Sequence, residues 1–426
     1  MGIDRRQFLQ IDRRQFLQYA GLTGLGLAIA GCGAKESTSS TGRGAATSFA
    51  PKTDPVIDLK GEPVAALFTS LNNDYYASWD LGAKRAVEAF GGEYRAFTNE
   101  GDAARQISQF EQQVQDGVKI FFMTAPDPAN VPTIAKIANE NQVFLTNTWE
   151  MVPWTTPFDY GDYYVTYFTT PTVELAHGVA KELFDKMGGQ GNLVHLTGHP
   201  GSTPDSQRTI GVDDALKEYP DVKLIARQPG EWNRDDARTA MAGIITKYGS
   251  DIHGVFGQND DVGIGAMNAL QEQGVEDVPI TGVDGNKGTM PFIQSGKYFG
   301  AYSTLPFWSA GFSAVRAIDA FLGVKFDPLE RQLYTGGVFV TEDNVDQYLA
   351  TFFGDEDPFD WQLMSRKAHP DDWDPQNEVR PLIVEDMWSF APKPAGWQAP
   401  AAYEQVKGEA EALAAEYESH WKRRLI

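Results

Sequence analysis

Short apolar runs alternate with longer amphipathic runs from Val64 onward. The short runs are rich in β-branched and aromatic residues and predict buried strands, whereas the longer runs repeat apolar residues at helical spacing. One face of the run Ser78–Phe90, for example, carries Trp79, Ala83, Ala86, Val87 and Phe90. Strands joined by single helices need right-handed crossovers, so the pattern predicts mostly parallel sheets.

The alternation occurs as two series, the second of which begins near Pro171. The strands predicted in the first series are Val64–Ser70, Tyr94–Thr98, Ile120–Thr124 and Val143–Thr148. Those predicted in the second series are Asn192–Thr197, Val222–Ala226, Gly254–Gly257, Pro279–Val283 and Phe299–Ser303. We therefore expect an α/β fold of two similar lobes, each with a doubly wound parallel sheet.

Polar and aromatic side chains directly follow several of the predicted strands. They lie in the segments Asn72–Tyr76, Asn147–Trp149, Gln258–Asp261 and Asp284–Asn286. Open α/β sheets bind their ligands at the carboxyl ends of the strands. With the two lobes facing each other at that edge, these segments would line one cleft.

The N-terminus has the pattern of an export signal. Arg13-Arg14-Gln15-Phe16-Leu17 precedes the apolar run Ala20–Ala30, which is shorter than the about 20 residues of a membrane-spanning helix. The run ends in Ile29-Ala30-Gly31-Cys32, so residues 1–32 predict a twin-arginine signal with a lipobox, cleaved before Cys32 and lipidated on that thiol. Residues 33–61 predict a flexible tether. The expected location is the extracytoplasmic face of a membrane, with the lipid as the only anchor.

The composition of the chain argues against several kinds of function, among them nucleic-acid binding. The chain of 426 residues has a formal net charge of −22, which would repel nucleic-acid phosphates and argues against a nucleic-acid partner. Its single cysteine excludes an internal disulfide and a thiolate metal cluster.

His195 lies in a predicted strand and His199 in a loop, so they do not share the helical face of a metal-binding pair. Neither a dinucleotide fingerprint nor a phosphate-binding loop is present, so we expect no metal and no cofactor.

Five segments together resemble a known family. Thr69–Tyr76, Gln228–Trp232, Val255–Asp260, Gly282–Gly285 and Ser303–Pro306 resemble, in order and spacing, the motifs of type I periplasmic sugar-binding proteins, most closely the ribose-binding members. The resemblance implies two hinged lobes that enclose a monosaccharide or related polyol. It also implies delivery to an ABC import permease with its ATPase, and no enzymatic activity.

The resemblance also implies a division of the chain. It implies crossings between the lobes near Tyr163–Phe168, Thr304 and Gly336–Val340. The expected N-terminal lobe comprises residues 62–166 and 305–336, and the expected C-terminal lobe residues 167–304 and 337–352. Residues 353–426 are an extension that the small family members lack. It ends in a predicted amphipathic helix, Tyr403–Leu425, and we expect it to cover the lobes.

The family's sugar contacts can be carried over residue by residue. Tyr75 and Tyr76 would pack against one face of the sugar ring and Trp232 against the other, while Arg208 would donate to ring or hydroxyl oxygens. Asn147 and Trp149 lie where the family often has Asp-Arg, which leaves the identity of the sugar open. The remaining residues that the resemblance assigns to the site are Asn73, Thr124, Asn259, Asp284 and Thr304.

Other interpretations of these residues remain open. The tyrosines and Trp232 are also compatible with a hydrophobic core, Asn259 and Asp284 with helix caps, and Arg208 with a solvated helix face. A glycoside-processing enzyme would need two carboxylates about 5–9.5 Å apart, and the predicted site offers only Asp284, which Arg208 should keep ionised. A sensory module for a membrane kinase or chemoreceptor would use the same closed form as a transport protein.

Overall fold

The structure, a computed structural model, describes residues 56–425 and contains two mostly parallel β-sheets, whose strands are numbered in chain order. The first sheet contains β1 (Pro63–Phe68), β2 (Glu93–Thr98), β3 (Ile120–Thr124), β4 (Phe144–Thr148), β5 (Tyr164–Thr169), β11 (Gln332–Thr335) and β13 (Val379–Pro381). The second contains β6 (Gly191–Thr197), β7 (Val222–Pro229), β8 (Gly254–Gly257), β9 (Ile280–Asp284), β10 (Gly300–Ser303) and β12 (Val338–Thr341).

Both sheets have a doubly wound strand order. The first runs β13-β11-β5-β4-β3-β1-β2, and the second runs β12-β10-β9-β8-β6-β7. Neighbouring strands pair in parallel, except that β11 with β13 and β10 with β12 are antiparallel. The predicted α/β fold of two parallel-sheet lobes is therefore confirmed.

Helices connect the strands and cover both faces of each sheet. They are α1 (Asp74–Ala89), α2 (Ala103–Gln115), α3 (Asn130–Asn141), α4 (Thr172–Lys186), α5 (Thr203–Glu218), α6 (Arg234–Tyr248), α7 (Asp260–Glu272), α8 (Met290–Gln294), α9 (Pro306–Phe321), α10 (Val345–Phe352), α11 (Trp361–Met364), α12 (Val384–Met387), α13 (Ala401–Val406) and α14 (Ala410–His420). Short 3-10 turns lie at Pro157–Tyr160, Pro328–Arg331 and Lys407–Glu409.

A close contact between α1 and α9 anchors the core of the first lobe. Trp79 of α1 is fully buried, and its ring centroid lies 5.3 Å from that of Phe68 and 5.4 Å from that of Phe122. Gly82 allows the two helices to approach, because a side chain there would collide with the backbone of Phe307 on α9. Closely packed side chains of α1 and α9 therefore support the strands that end in the polar segments.

The chain passes between the two sheets after Thr169, after Ser303, after Thr335 and again after Thr341, because β12 belongs to the second sheet and β13 to the first. The first passage falls beyond the expected lobe boundary at 166. The reason is that β5 pairs with β4 on one side and with β11 on the other, so the whole strand belongs to the first sheet.

The last residues of the expected tether are part of the folded body. The backbone N–H groups of Val56 and Ile57 donate to Oε1 of Gln362 at 3.2 and 3.0 Å. Leu59 is buried and its N–H donates to the carbonyl of Phe90 at 2.7 Å. The expectation of a flexible tether is therefore wrong for residues 56–61. The predicted signal, Cys32 and the rest of the tether lie outside the described residues.

The C-terminal extension is built into the first lobe. Its strand β13 forms an edge of the first sheet, and the carbonyl of Pro375 accepts a hydrogen bond of 2.8 Å from the indole of Trp308 on α9. The single helix expected over Tyr403–Leu425 is wrong, because the segment is broken by the 3-10 turn around Gly408 and its last helix ends at His420. Within residues 56–425, no helix combines the length and apolarity needed to cross a membrane.

Candidate ligand-binding cleft

A cavity of about 700 Å³ lies between the lobes at the carboxyl ends of both sheets. Loops that follow strands of both lobes supply its walls. The sequence-predicted residues that line it are Asn73, Tyr75, Tyr76, Trp149, Arg208, Trp232, Asn259 and Asp284.

The aromatic wall of the first lobe is set by a helix cap. Asn73 is the N-cap of α1, and its Oδ1 accepts hydrogen bonds from the N–H groups of Tyr75 at 2.8 Å and Tyr76 at 3.3 Å. The hydroxyl of Tyr75 accepts a bond of 2.6 Å from Nε1 of Trp149, which has a left-handed backbone with φ of 68°. Burial raises the pKa of both tyrosines, so their hydroxyls remain protonated at neutral pH. These rings give the first lobe an apolar surface edged with hydroxyl groups.

Trp232 forms the aromatic wall of the second lobe. It is half-buried, lies outside the hydrophobic clusters of the described residues and has φ of 59°. Its ring lies against Gly198, where any side chain would overlap it. Asn259 caps α7 through a bond of 2.8 Å from the N–H of Val262, and its Nδ2 donates to the carbonyl of Trp232 at 3.4 Å. The capping residue therefore also fixes the turn that presents Trp232.

Arg208 lies between the aromatic side chains of the two lobes. It is only 3% exposed, so the interpretation as a solvated charge is wrong. Its guanidinium carbon lies 5.6 Å from the ring centroid of Trp149 and 5.3 Å from that of Trp232, within the range of a cation–π contact. One terminal nitrogen donates to the carbonyl of Gln258, while Nε has no hydrogen-bond partner among the described residues. Arg208 thus has donor capacity left for a ligand.

Asp284 ends β9 and faces the same cavity. Burial raises its pKa well above the ordinary range of a carboxyl group, and the positive charge of Arg208 opposes this only in part. Among the described residues, no ion pair joins Asp284 to Arg208. The charge of Arg208 therefore offsets the effect of burial on Asp284 only in part, and it does so without a direct ion pair.

Three predicted site residues do not line the cavity: Thr124, Asn147 and Thr304. Asn147 donates from Nδ2 to the carbonyl of Glu150 at 2.8 Å and to the hydroxyl of Tyr164 at 3.0 Å, which orients it away from a ligand role. Thr304 donates its N–H to the carbonyl of Asp284 at 3.2 Å. The carbonyl of Thr124 receives the side chain of buried Gln106, at 2.8 Å. These three residues therefore contact the segments around the cavity without lining it themselves.

Glu150 was not predicted as a site residue, although it directly follows Trp149 in the chain. It lines the cavity, and its Oε2 accepts a hydrogen bond of 3.0 Å from the N–H of Thr203. Burial raises its pKa to about 7. The expectation of a single cleft carboxylate is wrong, because Glu150 and Asp261 line the cavity together with Asp284.

Charged side chains of both lobes meet at the cleft. Arg234 of α6 donates from Nε to Oδ1 of Asp261 at 2.6 Å and from a terminal nitrogen to Oδ2 of Asp74 at 2.9 Å. Nδ2 of Asn73 donates to Oδ2 of Asp261 at 3.2 Å. Asp74 and Asn73 belong to the first lobe and the other two residues to the second, so the described form is a closed one.

Groups of acidic, histidine and cysteine side chains that could hold a metal ion are absent from residues 56–425. His195 is buried in β6, and Nδ1 of its ring accepts a bond of 3.0 Å from Nε of Arg227. His199 instead contacts Glu231, with 2.6 Å between Nδ1 and Oε2. The two histidines therefore have separate partners.

Two α/β lobes with a ligand cleft between the carboxyl ends of their sheets define a class of bilobal binding proteins. Residues 64–325 match the family described as the periplasmic binding protein domain, and this chain belongs to that family. The resemblance noted in the sequence is therefore confirmed.

Individual relatives are similar over parts of the chain. The xylitol-binding protein of Mycolicibacterium smegmatis is 38% identical over 165 residues, which is 38% of this chain and 46% of that protein. The chain thus matches less than half of that relative's length. The ribose import binding protein of Salmonella typhimurium is 24% identical over 246 residues, 58% of this chain and 80% of that protein.

Solved structures have the same fold. A twin-arginine translocation pathway signal protein from Burkholderia phytofirmans superposes with a TM-score of 0.67 at 28% identity, covering 70% of this chain and 95% of that one. An ABC transporter periplasmic solute binding protein from Actinobacillus succinogenes, with bound D-allose, has a TM-score of 0.62 at 22% identity, covering 67% and 99%.

Proposed function

We propose that this chain is a lipid-anchored, extracytoplasmic binding protein that captures a monosaccharide or related polyol between its lobes and delivers it to an ABC import permease. The observation that carries the proposal is the meeting, in one closed cleft, of aromatic rings from both lobes with Arg208 and Asp284. The family membership and the similarity to a xylitol-binding protein support it.

The chemistry of the cleft suits a polyhydroxy ligand. Sugars have weakly polar C–H faces, which aromatic rings such as those of Tyr76 and Trp232 can cover. Their hydroxyl groups both donate and accept, so carboxylates serve as acceptors and the guanidinium of Arg208 as a donor. Charge-assisted hydrogen bonds of this kind contribute about 1.5–3 kcal/mol each. A polyol presents enough hydroxyls to satisfy Asp284 and Glu150 at once.

Export through the twin-arginine route and lipidation at Cys32 are the parts of the proposal that rest on the sequence. The motif Arg13-Arg14-Gln15-Phe16-Leu17 and the lipobox at Ile29–Cys32 support them. The name of the Burkholderia phytofirmans relative, which is a twin-arginine translocation pathway signal protein, agrees with that route.

A thermal-shift screen of monosaccharides and polyols tests the binding function. A true ligand should raise the free energy of unfolding by RT ln(1 + [L]/Kd), which is about 2.7 kcal/mol at a hundredfold excess over Kd. Titration calorimetry on each compound that stabilises the protein would give its affinity. Aldopentoses, aldohexoses, pentitols and inositols should all be included. If no sugar or polyol stabilises the chain, the proposed function is overturned.

Two of the buried carboxylates that line the cleft favour one second candidate, a glycoside-processing enzyme. Glu150 and Asp284 both line the cavity, and burial raises the pKa of each, as a general acid requires. Incubation of the purified protein with aryl glycosides and disaccharides, followed by product analysis, tests this candidate. A non-catalytic binding protein should leave them intact, and release of product that Glu150→Gln abolishes would establish the enzyme instead.

A further inference from the structure

A carboxylate of the first lobe caps a helix of the second. The helix α5 begins at Thr203, and its own N-cap residue, Ser202, makes no side-chain capping bond. The N–H of Thr203 instead donates to Oε2 of Glu150 at 3.0 Å. The first turn of a helix leaves N–H groups without partners, so the hydrogen bond to Glu150 stabilises the start of α5. The helices α1, α6 and α7 differ, because each is capped by its own N-cap asparagine.

Glu150 is held in a fixed position by the first lobe. Its N–H donates to the carbonyl of Thr148 at 2.9 Å, and its carbonyl accepts from Nδ2 of Asn147 at 2.8 Å. The preceding carbonyl, of Trp149, accepts from the hydroxyl of Tyr167 at 2.9 Å. The carboxylate therefore moves with the first lobe, and its distance from α5 depends on how far the lobes are closed.

The neighbouring residue strengthens the same contact. The N–H of Met151 lies 3.3 Å from Oγ1 of Thr203, and that hydroxyl lies 3.2 Å from the carbonyl of Met151. Met151 and Thr203 are both buried. The contact between the lobes therefore consists of a short run of buried hydrogen bonds from Glu150 and Met151 to Thr203.

The surroundings of Glu150 do not compensate its charge. It is 6% exposed, and within the described part of the chain it forms no ion pair. The charged groups that face it are acidic, Asp205 on α5 and Asp127 before α3, and the phenols of Tyr76 and Tyr167 lie near it. Burial, aided by these two aspartates and opposed by the bond from α5, raises the pKa of Glu150 to about 7.

We propose that Glu150 is a positioning residue for lobe closure, which docks on the N-terminus of α5 when the cleft shuts and takes up a proton as it does so. The inference rests on the two-lobe binding function proposed above. In open lobes, water would solvate this carboxylate and its pKa would return to an ordinary value of about 4.3. Because closure raises the pKa, the closed form is favoured at low pH and loses this advantage as the pH rises through about 7.

The test is small-angle X-ray scattering of the full chain without ligand, at pH 6 and pH 8. The closing equilibrium constant should be about tenfold smaller at pH 8 than at pH 6. Glu150→Gln keeps an acceptor for α5 but cannot titrate, so its scattering should change much less between the two pH values than that of wild type. His199→Gln, which removes the exposed imidazole of the cleft, should keep the wild-type pH dependence. A wild-type chain whose scattering does not change with pH would overturn the proposal. So would a Glu150→Gln chain that responds to pH as strongly as wild type, or a His199→Gln chain that no longer responds.

A pair of substitutions at Thr203 isolates the helix cap. Thr203→Val removes the hydroxyl and keeps the N–H, whereas Thr203→Pro also removes the N–H at a first-turn position that tolerates proline. The proline variant should be the more open of the two at pH 6, and equal scattering would overturn the capping role. Because these measurements need no ligand, a failed sugar screen would overturn the proposed function and leave this result intact.

Discussion

The asparagine caps of the cleft each perform two tasks. Asn73 satisfies the first N–H groups of α1, and this fixes the backbone that carries Tyr75 and Tyr76. Asn259 does the same for α7 while it holds the carbonyl of Trp232. A capping role and a place in the ligand site are therefore compatible for both residues.

At Trp232, ligand contact and core packing predict opposite results. Trp232→Ala should weaken sugar binding by ~2–4 kcal/mol, or roughly thirty- to a thousandfold in Kd, because it removes one face of the ring site. The melting temperature of the unliganded protein should change little, since the ring lies outside the hydrophobic clusters. The matched control is Trp308→Ala, which empties a fully buried position and should cost ~3–5 kcal/mol of stability. Calorimetric titration and unliganded melting separate the two effects, and a Trp232→Ala protein with lower stability but unchanged affinity would contradict the site.

At the scale of elements, the sequence predicts those helices and strands whose bounds depend on the local pattern of apolar residues. The strands Ile120–Thr124 and Gly254–Gly257 have the predicted bounds, because the local apolar pattern is sufficient to distinguish them. The helix α9 is buried on almost all sides, and even its charged residues Arg316 and Asp319 are buried, so its polar positions do not mark a solvent-facing side. The strand β13 has only 3 residues, and it exists because it pairs with the distant β11. Such elements are defined by tertiary contacts.

The attachment of the extension to the first lobe can be tested at a buried carboxylate. Glu330 accepts a bond of 2.9 Å from the hydroxyl of Tyr417 and lies 2.6 Å from a guanidinium nitrogen of Arg366, both in the extension. Glu330→Gln should destabilise the protein by ~3–5 kcal/mol, because it removes the carboxylate that pairs with the buried guanidinium of Arg316 and the nearest carboxylate of Arg366. Glu416→Ala is the control, since that carboxylate is half exposed and lies 3.9 Å from Arg366, so its loss should cost ~0–1 kcal/mol. Urea unfolding measures both, and equal costs would mean that the extension is only loosely attached.

For the whole molecule, the position of the cleft could be predicted from the sequence, but the contacts that close it could not. The cleft was predictable, because parallel strands place their carboxyl ends at one edge, and Asn73, Trp232 and Asp284 each lie at or soon after the end of such a strand. The contacts of Glu150 and Arg234 were not, since each depends on the position of one lobe relative to the other. A residue that acts between two bodies has no local pattern by which sequence can reveal it.

If the chain is exported and lipidated as proposed, its attachment to the membrane should depend on one thiol, that of Cys32. Cys32→Ser should yield an exported protein that is unprocessed or soluble, because no sulfur remains to carry lipid. Replacing both arginine pairs, Arg5-Arg6 and Arg13-Arg14, by lysine should block export. Both must change because the segment 3–10 is repeated at 11–18. Fractionation of cells followed by immunoblotting gives the readout, and a Cys32→Ser chain that remains with the membrane like wild type would refute the lipobox.

Closure of the whole molecule should depend on the bridge that Arg234 forms between Asp74 and Asp261. Arg234→Ala removes the bridge and leaves buried Asp261 without its cation, so the closed form should lose about 1–2 kcal/mol, or roughly five- to thirtyfold in ligand affinity. The remaining affinity should depend less on salt than that of wild type, because an exposed ion pair between the lobes has been removed.

Arg238 offers a matched control for this bridge. It lies on the same helix, and its partner, Glu272, belongs to the same lobe, with 2.8 Å between the charged atoms. Arg238→Ala therefore removes a surface ion pair without touching the contact between the lobes, and ligand affinity should stay at the wild-type value. Titration calorimetry at low and high salt compares the two variants. Equal affinities for Arg234→Ala and Arg238→Ala would mean that the bridge forms only after other contacts have already closed the cleft.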